Sequence, residues 1–187
     1  MKVLLYNPPM PYEGKSHKQT PLGLCYLSST IKDNADCVVY DGNVLDGFYE
    51  YARDFKPDII GISILTATYN KVLRIVGKLK SILRDTIFIA GGIHASVFPE
   101  DVLKNGFDIV IRGEGEITFQ EIINLLCDKK TEKERYKNLL VDIDGVSYWD
   151  DDKFIHTRKR ECINDLDKIA FPDRSNLPLE KYEHDSI

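Results

Sequence analysis

The 187 residues carry 25 Lys and Arg against 30 Asp and Glu, a formal charge of −5, and this lack of a basic footprint disfavours nucleic-acid binding. With 43% hydrophobic and 29% charged residues and no low-complexity tract, the chain is of globular composition and long enough to bury one good core plus an appendage. The opening MKVLLYNPP is too short an apolar run for a signal peptide, and no later stretch approaches the ~18 apolar residues of a membrane span, so the reading is a cytoplasmic protein with no membrane partner.

Residues 2–6, KVLLY, form the first predicted strand, stopped by Asn7-Pro8-Pro9 because proline has no amide for a ladder. Leu22, Leu24, Leu27 and Ile31 recur at helical spacing and predict a helix over 21–33. Residues 37–40 make a second strand closed by Asp41-Gly42, and 44–55 a short amphipathic helix ended by Pro57-Asp58. The run DIIGIS over 58–63 is apolar throughout, as a parallel strand covered on both faces is. A helix over 69–83 follows, with Val72, Ile75, Val76 and Leu79 on one face, then a strand at 87–90 running into Gly91-Gly92. Helices over 97–105 and 116–127 bracket a fifth strand at 108–111. Strands alternating with helices predict a five-stranded doubly wound parallel sheet of the flavodoxin-like or Rossmann-like α/β class.

Sheets of this kind bind ligands beyond the carboxyl ends of their strands. The residues there are Asn7-Pro8 and then Thr20-Pro21-Leu22-Gly23, Ser63-Ile64-Leu65-Thr66, Gly91-Gly92-Ile93-His94, and Gly113-Glu114-Gly115-Glu116. Gly91-Gly92 would let a ligand approach the main chain, and the Ser63 hydroxyl suits a heterocycle nitrogen. Each glycine pair alone is equally well read as a tight turn; together, at matching strand ends, they favour a site. Glu114 and Glu116 read as carboxylates at a helix start, and Arg112 as either a phosphate or amide contact or an ordinary surface charge. The four cysteines are scattered without metal-binding spacing. No catalytic residue and no metal ligand is nominated.

The spacing of Ser63-Ile64-Leu65 from Gly91-Gly92 resembles the SxL and GG elements of cobalamin-binding domains, in which the cofactor's nucleotide tail slots beside the central strand. The ordered set from NPP and TPLG through GGIHAS, GEGE and FPDRSNLP is similar to the N-terminal cobalamin-binding half of cobalamin-dependent radical S-adenosylmethionine enzymes, in the group typed after the anaerobic magnesium-protoporphyrin monomethyl ester cyclase. The resemblance spans nearly the whole chain. It implies cobalamin as the cofactor, bound by Asn7, Pro8, Thr20, Leu22, Gly23, Ser63, Leu65, Thr66, Gly91, Gly92, His94, Gly113, Glu114 and Gly115. Many cobalamin domains carry DxHxxG after the first strand, its His becoming the lower cobalt ligand. Aligned on Gly23, Lys18 and Thr20 stand at the Asp and His places, so the resemblance implies cobalamin without His ligation from this loop. His17, in the same loop, reads as a solvated side chain.

Past Cys127 a run of alternating charges, 128–135, reads as a linker, and two β-rich runs around Asp150-Asp151-Asp152 as a hairpin. The division expected is 1–128 for the cobalamin-binding-like α/β domain, 129–162 for the charged linker and hairpin appendage, and 163–187 for an extended connector with little core of its own. In the family resembled, a radical domain follows, with a CxxxCxxC motif for a 4Fe-4S cluster that cleaves S-adenosylmethionine. These residues contain no such motif. The expectation is a cobalamin module partnered by a C-terminal radical domain of the same full-length chain, which methylates, cyclises or rearranges an unreactive carbon centre. Two other readings stay open: the same fold without cobalamin, as a substrate-placing, regulatory or structural domain, and a small nucleotide or flavin enzyme, weakened because no GxGxxG follows the first strand.

Overall fold

A computed structural model describes residues 1–11, 19–127 and 136–182. The charged run at 128–135 and the loop bearing His17 and Lys18 lie outside the described residues. Five parallel strands form the centre: β1 (Lys2–Asn7), β2 (Asp36–Asp41), β3 (Ile59–Ser63), β4 (Ile87–Gly91) and β5 (Ile109–Ile111). The hairpin β6 (Val146–Asp150) and β7 (Lys153–His156) continues the same sheet, giving the order β2-β1-β3-β4-β5-β6-β7. The class matches the doubly wound expectation; the count is seven strands, not five. Tyr148 pairs antiparallel with Ile109 and Val146 with Ile111, so the hairpin covers an edge that β5 would otherwise leave open. Trp149 and Phe154 pack across the hairpin at 5.6 Å between ring centroids.

Successive residues of each strand point to opposite faces, which divides the core in two. Val3 and Leu5 join Ile59, Ile89 and Ile109 on one face, under α1 (Leu22–Ile31), α6 (Glu116–Cys127) and α7 (Tyr136–Leu140). Leu4 and Tyr6 join Ile60, Ile62 and Phe88 on the other, under α2 (Phe48–Phe55) and α3 (Tyr69–Ile82). The C-terminal segment, expected to carry little core, places Leu177 and Tyr182 in the first cluster. It is tied down by the Asp173 amide to the Cys25 carbonyl at 3.0 Å and by Asn176 Nδ2 to the Cys37 carbonyl at 3.1 Å.

The helix expected over 97–105 is α5 (Pro99–Lys104), and a separate short helix, α4 (Ile93–Val97), precedes it where none was expected. Pro99 has no amide to continue a helix and forces Phe98 out of helical geometry, at φ −123° and ψ 53°. Helix α2 starts at Phe48 rather than at 44, after Gly47 at φ +81°. Burial pushes the Cys25 and Cys37 thiols up to about 11 and about 12, which leaves both protonated and inert. Among the described residues no helix is long and apolar enough to cross a membrane.

Candidate functional site

Strand β1 leads to β2 on one side, and the chain returns to β3 on the other. The crossovers therefore diverge between β1 and β3, where doubly wound sheets leave a crevice at their carboxyl ends. A cavity of about 320 Å³ occupies this place, between the strand ends and helices α1 and α6. Gly61 forms part of its wall, in register with Leu5 of β1 and Ile89 of β4. A Cβ at Gly61 would stand 2.7 Å from Leu5 Cδ2, so a side chain in mid-strand would displace the neighbouring leucine and narrow the space.

Of the residues nominated from sequence, Asn7, Leu22, Gly23, Ser63, Gly91, Gly92, Gly113, Glu114 and Gly115 line the cavity. Pro8, Thr20, Leu65, Thr66 and His94 stand outside its wall. Thr20 serves the turn into α1, its carbonyl accepting from the Leu22 amide at 2.8 Å. Thr66 Oγ1 bonds His94 Nδ1 at 3.2 Å, and the imidazole packs on Tyr69 and Phe98, with centroids at 4.1 and 5.2 Å. Only 6% of His94 is exposed, and burial holds its pKa below the ordinary histidine value against a weaker upward pull from Asp101.

The two glycines after β4 have different duties. Gly92 sits at φ +91°, and a Cβ there would meet the Ile64 carbonyl oxygen at 2.8 Å and its amide nitrogen at 2.9 Å. What approaches Gly92 is therefore the protein's own β3 exit rather than only a ligand. Among the described residues, Gly91 has no heavy atom from beyond its chain neighbours within 4 Å of its Cβ position, and neither has Gly23 at the start of α1. Both present bare main chain to the cavity.

The sequence reading missed the apolar walls, Leu24, Leu27, Ile89, Ile111 and Phe119, and Gly61; Glu116 it placed at the strand end but read as a helix-start carboxylate, not as a contact. A glycine inside the strand-like run DIIGIS was the one signal available for Gly61. The GEGE carboxylates diverge: Glu114 Oε2 accepts the Ile163 amide at 2.7 Å, whereas Glu116 Oε2 is buried without a partner among the described residues. Asn7 donates to Asp41 Oδ1 at 3.0 Å, and the fully buried Asp41 also accepts from the Asn43 amide and side chain and from Tyr182. Arg112 turns onto the hairpin, donating to the Val146 and Thr157 carbonyls, and does not line the cavity.

With this geometry in place, residues 16–123 match the family model described as the B12 binding domain. The chain belongs to that family. This B12-binding domain is 32% identical over its whole length to an uncharacterized methyltransferase of Pyrococcus horikoshii, covering 41% of that protein. Two anaerobic magnesium-protoporphyrin IX monomethyl ester cyclases are also similar. The one from Rubrivivax gelatinosus is 30% identical over 87% of the chain and 30% of the cyclase, and the one from Synechocystis 27% over 89% and 34%. The chain thus spans between 30% and 41% of the length of these relatives.

Proposed function

We propose that this B12-binding domain holds cobalamin for a longer radical S-adenosylmethionine enzyme, with the cofactor's nucleotide tail in the cavity beside β3. The observation that carries the reading is the bare main chain at Gly23 and Gly91, where none of the described residues beyond the chain neighbours comes within 4 Å of either Cβ position. A volume of about 320 Å³ is at the small end for ligand pockets, enough for a flat base with its sugar and too little for a whole corrinoid. Leu24, Leu27, Ile89, Ile111 and Phe119 would pack on the base, and the Ser63 hydroxyl would answer its polar edge. Of the sequence-nominated residues, those lining the cavity are the proposed contacts.

Cobalamin, when bound, supplies a cobalt centre able to carry an alkyl group. The residues of this chain bind and orient it. Of the described histidines, neither His94 nor His156 lines the cavity, which supports binding with neither of them on cobalt. A following radical domain with a 4Fe-4S cluster and S-adenosylmethionine, which would do the chemistry in the cytoplasm, is proposed from the greater length of the relatives and the names of the cyclases.

The test is to mix residues 1–187 with hydroxocobalamin, remove free ligand and read the absorbance of the protein. Retention near one cofactor per chain is expected. A colourless protein would favour the same fold acting without cobalamin, to place substrate or brace a partner domain.

A further inference from the structure

Asp41 is buried at the end of β2 and accepts on both oxygens, Oδ1 from Asn7 Nδ2 at 3.0 Å and from Asn43, Oδ2 from the Tyr182 hydroxyl at 3.0 Å. The turn after Asp41 is fastened to the exit of β1 at two further points. The Gly42 amide donates to the Asn7 carbonyl at 2.9 Å, and Asn43 Oδ1 accepts the Met10 amide at 3.0 Å. A Cβ at Gly42 would stand 2.8 Å from Pro9 Cδ, so the two strand exits lie in close contact. Asn7 lines the cavity, whereas residues 173–182 do not. The C-terminal segment thus reaches the cavity wall through one carboxyl group and one side-chain amide.

We infer that residues 173–182 are a brace coupled to the cavity through Asp41 and Asn7, so that seating of the segment and occupation of the cavity strengthen one another. This rests on the cobalamin reading above for its ligand and goes beyond it, because the segment itself lies off the cavity wall. A segment near a terminus opens locally at less than the cost of global unfolding, so it has a seated and an unseated state. Seated, it supplies the donor to Asp41 Oδ2 and fixes that side chain. The Asn43 main-chain amide can only donate, so Asp41 Oδ1 is an acceptor, and Asn7 must turn Nδ2 rather than its own oxygen toward it. A ligand that rests on Asn7 already ordered in this way bears no second entropic cost for ordering it. Two events that favour one arrangement of a shared residue are linked, and the linkage is reciprocal.

The test is hydrogen exchange read by mass spectrometry, with and without saturating hydroxocobalamin, on the parent and on Tyr182→Phe, which keeps the buried ring and loses only the hydroxyl that reaches Asp41. In the parent, hydroxocobalamin is expected to slow exchange of the amides of 173–182 about 5-fold or more relative to those of the β6–β7 hairpin, the lower end of coupling between sites. In Tyr182→Phe that slowing should be lost, and calorimetry should show hydroxocobalamin bound about 5-fold more weakly, as reciprocity requires. A role for Tyr182 confined to packing predicts lower stability with the slowing and the affinity of the parent. Should Tyr182→Phe fail to fold by circular dichroism, exchange in the parent decides alone. Hydroxocobalamin bound by the parent without selective slowing of 173–182, or either the slowing or the affinity unchanged in Tyr182→Phe, would overturn the inference while leaving the cobalamin reading intact. A parent chain that binds no hydroxocobalamin would remove the cobalamin reading, and this inference with it.

Discussion

The Tyr182 hydroxyl donates to Asp41 Oδ2 at 3.0 Å, both residues buried and 141 positions apart. Asp41 ends β2, and its other oxygen takes Asn7 at the end of β1 together with Asn43 in the following turn. One carboxylate therefore joins two strand ends to the C-terminal segment, and Asn7 carries that network to the cavity wall. Burial, and then the charge of Asp41, hold the Tyr182 phenol protonated well above its ordinary range, so the donor is present at any physiological pH.

Tyr182→Phe leaves Oδ2 buried without its donor. The expected loss of stability is about 1–3 kcal/mol, the cost of an unmatched buried acceptor. Urea unfolding of the two proteins measures it, and an unchanged midpoint would mean that the C-terminal segment is not held by this bond.

The glycine pair after β4 separates folding from binding. Gly91→Val puts its side chain into the open cavity, so the variant should keep the parent's circular dichroism and lose cobalamin retention. Gly92→Val requires a valine at φ +91° against the Ile64 main chain, and should fail to reach the native fold. The two variants compared by circular dichroism and gel filtration check this; a well-folded Gly92→Val would refute the account of β3 and β4 given by the geometry.

His94 predicts the acid limit of stability. Its folded pKa lies below the unfolded value of about 6.5, because burial opposes the charge, so the unfolded chain binds the proton first. Stability is thus present above that value and declines as pH falls through and below it. His156 is depressed as well, by burial and then by Arg112, and adds a loss of the same sign. His94→Leu should flatten the fall of the urea midpoint between pH 7 and 5 relative to the parent, with His156 supplying what remains.

The proposed lower face of cobalt is open to spectroscopy. With Thr20 at the expected histidine place and neither His94 nor His156 on the cavity wall, cob(II)alamin bound to the domain should give an electron paramagnetic resonance spectrum without superhyperfine splitting from an axial nitrogen. A clear nitrogen splitting would mean that a ring nitrogen, from the protein or from the cofactor's own base, ligates the metal.

The order of elements and the class of fold were legible in the residues themselves. Whether a segment is strand or helix depends on the spacing of its own apolar side chains, as in DIIGIS or in Val72, Ile75, Val76 and Leu79, and that information is local. The strand ends were legible for the same reason: Asn7, Ser63, Gly91 and Gly113 follow short apolar runs, and a parallel sheet brings such ends to one edge. The resemblance carried the cofactor family, which the match over residues 16–123 bears out.

What the sequence alone could not decide is which distant segments meet. The pairing of β6 with β5 depends on an edge left open by the other strands, and the contact of Tyr182 with Asp41 depends on a chain path that crosses the sheet. Gly91 and Gly92 are neighbours of one residue type, yet one faces open space and the other the Ile64 main chain, because only the packed position of β3 distinguishes them. Glu114 and Glu116 divide in the same way: the tertiary structure brings an amide to the first and no donor of the described chain to Oε2 of the second. Side-chain periodicity determines the elements, whereas burial and partnership are properties of the assembled whole.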